Sequence, residues 1–148
     1  MKRTVMTLAL ALGLSGAVLP LAPAHAAGAV QFRYFRYNAP GTDTASNTSV
    51  NGEYLILKNV TSRPVALTGW TVRDNQSHVY TFGTFSIGAG KTMALHTGKG
   101  SNTASVRYWG LGYHVWNNTG DKAYLRTRTG TTIDTCAWTS SGTGALNC

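Results

Sequence analysis

The stretch NGEYLILKNVTSRPVALTGWTVRDNQSHVYTF, residues 51–82, alternates short apolar runs with turn residues and decides the fold class. Its apolar side chains recur at every second position, as they do in a strand with one buried face. Arg63-Pro64 predicts a turn, and the Asp-Asn-Gln-Ser sequence of residues 74–77 predicts the turn of a hairpin. Trp70 follows the flexible Gly69 and is expected in the core, as a large aromatic between two sheets.

The same period of two recurs along the rest of the chain, and no segment after residue 26 keeps the 3.6-residue period of a helix. Strands are predicted at Val30–Tyr37, Glu53–Asn59, Val65–Arg73, His78–Phe82, Lys91–Thr97, Val115–Asn117, Lys122–Arg128 and Thr132–Ala137. A change of phase at Tyr34-Phe35 predicts a bulge in the first strand. Residues 38–52 contain mostly Pro, Gly, Asn, Asp, Ser and Thr, which predicts a long exposed loop. Seven or eight short strands are typical of an all-β sandwich or barrel.

The first 26 residues have the composition of an export signal. Lys2 and Arg3 precede an apolar run from Val5 to Leu19, and Ala24-His25-Ala26 fits the small-residue cleavage pattern. We therefore expect cleavage after Ala26, no transmembrane segment after cleavage, and a secreted, extracellular protein. Residues 27–148 have the length of a single domain.

Charge and cysteine content agree with an exported protein. Residues 27–148 carry eleven basic and five acidic residues, a net charge of +6. This excess favours anionic partners such as nucleic acid or cell-wall polymers, although ordinary solubility explains it equally well. Cys136 and Cys148 have no C-x-x-C spacing, so a disulfide between them is the simplest prediction for an exported chain.

Motifs for catalysis, metals and nucleotides are absent from the sequence. Gly90-Lys91-Thr92 ends like a phosphate loop, but Phe85 stands where that motif requires glycine, so a β-turn is predicted. The histidines have no zinc-ligand spacing, and His114 has no evident partner. Asp121 follows a turn and is predicted to accept hydrogen bonds from backbone N–H groups there. We therefore predict no enzyme activity, no catalytic residue, no metal and no cofactor.

Several short motifs occur in an order that resembles the lamin tail domain family. They are E-x-L-x-L-x-N from Glu53, L-x-G-W-x-V-x-D from Leu67, Tyr80-Thr81-Phe82, Gly90-Lys91, VWNNTGDKAYL from Val115, and G-x-x-I-D from Gly130. The resemblance covers about Val30 to Trp138. It implies an immunoglobulin-like antiparallel β-sandwich of about seven to nine strands, and a non-catalytic interaction module. The export signal makes the chain similar to the secreted bacterial members.

A basic stripe on one strand is the first candidate binding site. Alternation along the strand places Lys122, Tyr124, Arg126 and Arg128 on one face. The cations could neutralise phosphates or uronates while Tyr124 stacks on a ring. A solvated outer strand would show the same pattern.

A second candidate is the glycine-rich stretch with Tyr108, Trp109, Tyr113 and Trp116, among which Trp109 and Tyr113 are taken as possible carbohydrate contacts. These rings could instead pack inward and close one end of the sandwich. The sequence therefore predicts a secreted, non-catalytic module that binds an anionic polymer. The alternatives are a module that binds an extracellular protein and a carbohydrate-binding module, with a hydrolase the least favoured.

Overall fold

The structure is a computed structural model that describes residues 28–139 and 142–148. The expected signal peptide, residues 1–26, lies outside the described residues and stays a prediction. Eleven strands and one short helix are described. They are β1 (Val30–Arg36), α1 (Asn47–Val50), β2 (Tyr54–Asn59), β3 (Val65–Ala66), β4 (Thr71–Arg73), β5 (Val79–Thr81), β6 (Ser86–Ile87), β7 (Thr92–His96), β8 (Val106–Tyr108), β9 (Asp121–Arg126), β10 (Thr132–Trp138) and β11 (Ala145–Asn147).

Nine of these strands form two sheets. The five-stranded sheet has the order β11-β1-β2-β7-β8, and the four-stranded sheet has the order β10-β9-β4-β5. Neighbouring strands are antiparallel except β7 and β8, which are parallel. The strands β3 and β6 form a separate two-stranded sheet. The expected immunoglobulin-like sandwich is confirmed.

The core lies between the two main sheets and is rich in aromatic rings. Phe35 from β1 meets Trp116 edge-on at 4.6 Å between ring centroids and lies 5.1 Å from Trp138 of β10. The indole Nε1 of Trp138 donates to the carbonyl of Asn117 at 2.7 Å, which satisfies its polar group. Trp70 packs against this core from a half-buried position.

The phase change in β1 corresponds to a bulge. Pairing of β1 with β2 shifts register between Phe32 and Tyr34, because Arg33 has no partner across the ladder. Phe32 and Phe35 are therefore both buried, although their spacing of three does not fit an unbroken strand. The bulge lies one to two residues before the predicted position.

Two predicted strands are wrong. The segment Val65–Arg73 is divided between β3 and β4, because Gly69 at φ 79° permits a turn in which Trp70 N–H donates to the carbonyl of Leu67. The segment Val115–Asn117 is not a strand, although Val115 and Trp116 are buried. Apolar loop residues that pack into the core have the same composition as a strand.

Three short strands were missed, and the long loop is partly folded. The sequence did not predict β6, β8 or β11, each of two or three residues. Within residues 38–52, α1 begins after Ser46, whose side chain caps the helix by accepting from Ser49 N–H. Ala39 and Val50 are buried, so this segment packs onto the sandwich instead of lying free.

The predicted disulfide is confirmed. It joins Cys136 of β10 to Cys148, which follows β11, with a Cα–Cα distance of 5.6 Å. Because β10 and β11 belong to different sheets, the bond links the two layers at one side of the sandwich. Among the described residues, no helix has the length and apolar character needed to cross a membrane.

Replacing both cysteines by alanine should lower the free energy of unfolding by roughly 3 kcal/mol, because the unfolded chain regains the entropy of the closed loop. Urea unfolding with and without dithiothreitol measures this loss. Reductant should destabilise the wild type by a similar amount and leave the double variant unchanged. Equal stability of oxidised wild type and variant would show that the bond does not stabilise the fold.

Candidate functional site

The predicted basic stripe lies on the outer face of the four-stranded sheet. Along β9, Ala123 and Leu125 are fully buried, whereas Lys122, Tyr124 and Arg126 are half-buried and point away from the core. The alternation follows from the period of two of a strand with one covered face. The structure thus brings three of the four predicted residues together.

A fourth cation joins them from the neighbouring strand. Arg73 of β4 lies directly opposite Tyr124 in the antiparallel register. Its strand neighbour Val72 is buried, so Arg73 points to the outer side of the sheet, as Tyr124 does. We call Arg73, Lys122, Tyr124 and Arg126 the cationic face. Sequence spacing could not reveal Arg73, because it lies about fifty residues away and meets Tyr124 only through strand pairing.

The ring of Tyr124 holds two of the three cations of this face. The Nζ of Lys122 and the Cζ of Arg126 each lie over the ring, at 5.0 Å from its centroid. The Tyr124 hydroxyl donates to Oδ1 of Asn75 at 3.0 Å, which fixes the ring. Each cation–π contact contributes about 0.5–1 kcal/mol at an exposed site. The tyrosine therefore positions charge, and stacking on a ligand ring would require a cation to move aside.

Arg128 lies at the margin of the face. The turn after β9 begins at Thr127, whose N–H donates to the carbonyl of Thr131, so Arg128 is outside the strand and exposed. Its aliphatic part lies against Gly69, where an added Cβ would come within 3.0 Å of the Arg128 Cδ. The predicted strand Lys122–Arg128 thus ends two residues early.

The aromatic candidates of the glycine-rich stretch separate. Trp109 is half-buried and packs against the core, with ring centroids 6.0 Å from Trp116 and 5.9 Å from Tyr80. Tyr113 is 51% exposed and lies near His78. Trp109 therefore contributes mainly to packing, which was one of the two alternatives.

Four of the five acidic side chains are engaged inside the fold, and the exposed Asp43 accepts from the Asn118 amide at 3.0 Å. Asp121 accepts from Lys122 N–H at 2.8 Å and from Asn117 N–H at 3.2 Å, which confirms its predicted role in the turn. Asp134 accepts from Phe32 N–H at 2.8 Å, and Asp74 accepts from the N–H groups of residues 76 and 78. Every ion pair among the described residues joins a carboxylate to a histidine. None of the eleven Lys and Arg side chains there has a carboxylate partner.

His114 has partners that the sequence did not indicate. Its Nδ1 lies 3.1 Å from Oε1 of the fully buried Glu53, and its Nε2 lies 3.2 Å from Oγ of Ser49. The other oxygen of Glu53 accepts from Val115 N–H at 3.0 Å. The Ser49 contact fastens residues 38–52 to the loop that carries His114, and Glu53, directly after that segment, contacts the same loop. These contacts were hidden because the partners are more than sixty residues apart.

Ser49, His114 and Glu53 lie in contact one after another, as the nucleophile, base and carboxylate of a catalytic triad do. Such a triad also needs N–H donors that point at a developing oxyanion. Here Ser49 N–H donates to Ser46 Oγ and Val50 N–H to the Ser46 carbonyl, while Ser49 Oγ itself accepts from Thr44 N–H. The donors next to the hydroxyl are thus occupied, and the arrangement serves as a clasp between loops.

Burial raises the pKa of Glu53 to about 7, although the hydrogen bond from Val115 N–H and the nearby His114 ring act in the opposite direction. A proton on Glu53 in the folded state is lost on unfolding between about pH 4.5 and pH 7. The stabilising contribution is therefore complete below about pH 4.5 and disappears as the pH rises through about 7.

The described residues contain no cluster of three or more His, Cys, Asp or Glu side chains suited to a metal ion. A shallow groove of about 520 Å³ lies between residues 84–86 and 102–107, with the guanidinium of Arg107 4.2 Å from the Phe85 ring centroid. It does not include the cationic face or the clasp.

The Glu53→Gln variant should keep the acceptor for Val115 N–H but remove the titration of the Glu53 carboxyl group. Relative to the variant, the wild type should lose about 2 to 3 kcal/mol of unfolding free energy between pH 4.5 and 7.5, as the pKa displacement requires. Urea unfolding across this range measures the difference. Asp43→Asn removes the other carboxylate near His114 and should preserve the wild-type trend; parallel curves for wild type and Glu53→Gln would refute the assignment.

Comparison with known proteins agrees with the motifs. No curated protein matches the chain. The model of the family described as Lamin Tail Domain matches residues 23–140, which include both main sheets apart from β11. The ordered motifs, the two-sheet sandwich and this match lead to one conclusion: the chain belongs to the lamin tail domain family.

Proposed function

We propose that the protein is an exported, non-catalytic binding module whose cationic face holds an anionic polymer. The observation that carries the proposal is the absence of carboxylate partners for the Lys and Arg side chains among the described residues. Family membership supports the broader part, an immunoglobulin-like interaction module. The polymer is either a nucleic acid or an acidic cell-wall polymer, since both present a row of anions.

The geometry of the face suits a flexible chain of anions. Lys122 and Arg126 reach the Tyr124 ring from two residues before and two residues after it, and Arg73 stands beside it on β4. Phosphates or carboxylates along a polymer can therefore meet successive cations without entering a pocket. Binding of this kind releases counterions, so it weakens steeply as salt rises.

Two features support export. The residues before Ala27 have the composition of a cleavable signal, and the described disulfide is typical of oxidising compartments. Outside the cell, polyanions include wall polymers and released nucleic acid. We infer that the protein acts there, in contact with one of these polymers.

A protein partner is the second candidate, favoured by one edge of the sandwich. The strand β5 pairs with β4 on one side and is the last strand of its sheet. Its Val79 is 43% exposed, and such an edge can accept a strand from another chain. A peptide partner would bind by main-chain hydrogen bonds and would depend little on salt.

Replacing Lys122 and Arg126 together by serine should weaken polyanion binding by about 10- to 100-fold at 50 mM salt, because two anion contacts are lost. Fluorescence anisotropy with labelled duplex DNA, polyphosphate and polygalacturonate measures the affinity and identifies the preferred polymer. The slope of log affinity against log salt should become shallower by about two, because each lost anion contact removes about one unit of slope.

The double variant Arg63→Ser and Lys91→Ser is the matched control. Both residues are exposed and lie outside the four-stranded sheet, so it removes the same net charge elsewhere. It should bind nearly as well as the wild type. Equal losses in the two double variants would mean that net charge alone attracts the polymer, and the cationic face would not be the site.

A further inference from the structure

The outer face of the five-stranded sheet carries a line of rings across four strands. They are Tyr34 of β1, Tyr54 of β2, His96 of β7 and Tyr108 of β8, which we call the aromatic row. Tyr54 lies opposite His96, and His96 lies opposite Tyr108 in the ladder register. All four residues are half-buried, whereas their strand neighbours Phe35, Leu55 and Leu95 point into the core.

The rings touch one another but do not cover one another completely. Ring centroids are 5.6 Å apart for Tyr34 and Tyr54, 5.1 Å for Tyr54 and His96, and 5.3 Å for His96 and Tyr108. Their planes differ by 21° to 36°. Aromatic neighbours at such separations are offset, and all four residues keep part of their surface exposed to solvent.

The row is held in place before any ligand arrives. The Nδ1 of His96 lies 2.9 Å from the carbonyl of Asn51, which fixes the ring. Gly100 lies so close to Tyr108 that an added Cβ would stand 2.4 Å from its ring carbons. A preorganised surface loses little side-chain entropy on binding.

Cations bracket the row. At the β1 end, Arg36 lies over the Tyr54 ring at 5.6 Å and its Nη2 donates to the Tyr34 hydroxyl at 3.4 Å. At the β8 end, Lys99 is exposed and precedes the glycine that touches Tyr108; its backbone is anchored by hydrogen bonds to Asn47. No strand of the five-stranded sheet contains Asp or Glu.

We propose that the aromatic row binds single-stranded nucleic acid, with bases stacked on the rings and backbone phosphates near Arg36 and Lys99; stacking on Tyr54 requires the Arg36 guanidinium to move from that ring to a phosphate. Flat rings combined with unpaired cations are the features by which proteins hold single strands. A neutral glycan could also lie on rings, but it would gain nothing from the bracketing cations and would lack carboxylate acceptors for its hydroxyl groups. The row therefore fits a chain that carries both flat rings and negative charge.

This site is separate from the cationic face, which belongs to the other sheet. The cationic face requires anions alone, whereas the aromatic row requires bases as well. An oligonucleotide without bases distinguishes the two, because it keeps every phosphate and offers nothing to stack.

The test compares labelled oligothymidylate with an abasic deoxyribose-phosphate oligomer of equal length, by fluorescence anisotropy with the full chain. The double variant Tyr54→Leu and Tyr108→Leu should bind oligothymidylate at least roughly tenfold more weakly, in line with the loss of stacking, and the abasic oligomer as the wild type does. Val60→Ala removes an exposed apolar side chain that belongs to neither candidate surface and should leave both affinities unchanged. Thermal unfolding establishes that each variant is folded.

Photo-crosslinking of the wild type to an oligonucleotide that carries 5-iodouracil keeps the proposal testable if the leucine variants fail to fold. Crosslinks should fall on peptides that contain row residues. Unchanged oligothymidylate affinity in the folded double variant, or crosslinks confined to β4 and β9, would overturn the proposal. So would row-dependent binding of a neutral glucan without binding of the oligonucleotide, which would indicate a glycan site.

Discussion

Engagement of four of the five acidic side chains inside the fold is the constraint on which the rest of the structure depends. The chain has only five acidic side chains. Glu53, Asp74, Asp121 and Asp134 accept hydrogen bonds within the sandwich, and the exposed Asp43 accepts from the Asn118 amide and lies near His114. Buried N–H groups at strand ends and loops need such acceptors, because an unsatisfied buried donor is costly. Since these acids close turns and fasten loops, they cannot neutralise the surface cations.

The two outer faces of the sandwich both carry cations without carboxylate partners, but in different arrangements. On the four-stranded sheet, Tyr124 gathers Lys122 and Arg126 around one ring, so the face presents concentrated charge. On the five-stranded sheet, rings from four strands form a line with cations at its ends. We propose that both faces bind anionic chains and that only the second stacks bases.

The sequence predicted features that depend on near neighbours. Three features were predictable. Alternation along β9 and the turn role of Asp121 follow from local spacing, and the disulfide follows from there being only two cysteines to pair. The division of residues 65–73 was missed because the pattern does not show which way a glycine turns the chain. Val115 and Trp116 were assigned to a strand because a loop segment that packs into the core has the same β-branched and aromatic residues as a strand.

Features that depend on strand order were not predictable. The members of the aromatic row are spread from residue 34 to residue 108, and only the order β1-β2-β7-β8 brings them together. Arg73 beside Tyr124 and the clasp of Glu53 with His114 arise in the same way. No local spacing encodes these juxtapositions, since each joins segments that are distant along the chain.

Chemical-shift mapping of the ¹⁵N-labelled protein during titration with a short oligothymidylate at low salt tests most directly whether the two acid-free faces bind polyanions. We predict that perturbed amides cluster on β4 and β9 and on β1, β2, β7 and β8, and that raising the salt reverses the changes on the cationic face first. Perturbations confined to the loops around residues 84–86 and 102–104, or spread evenly over the surface, would contradict this prediction.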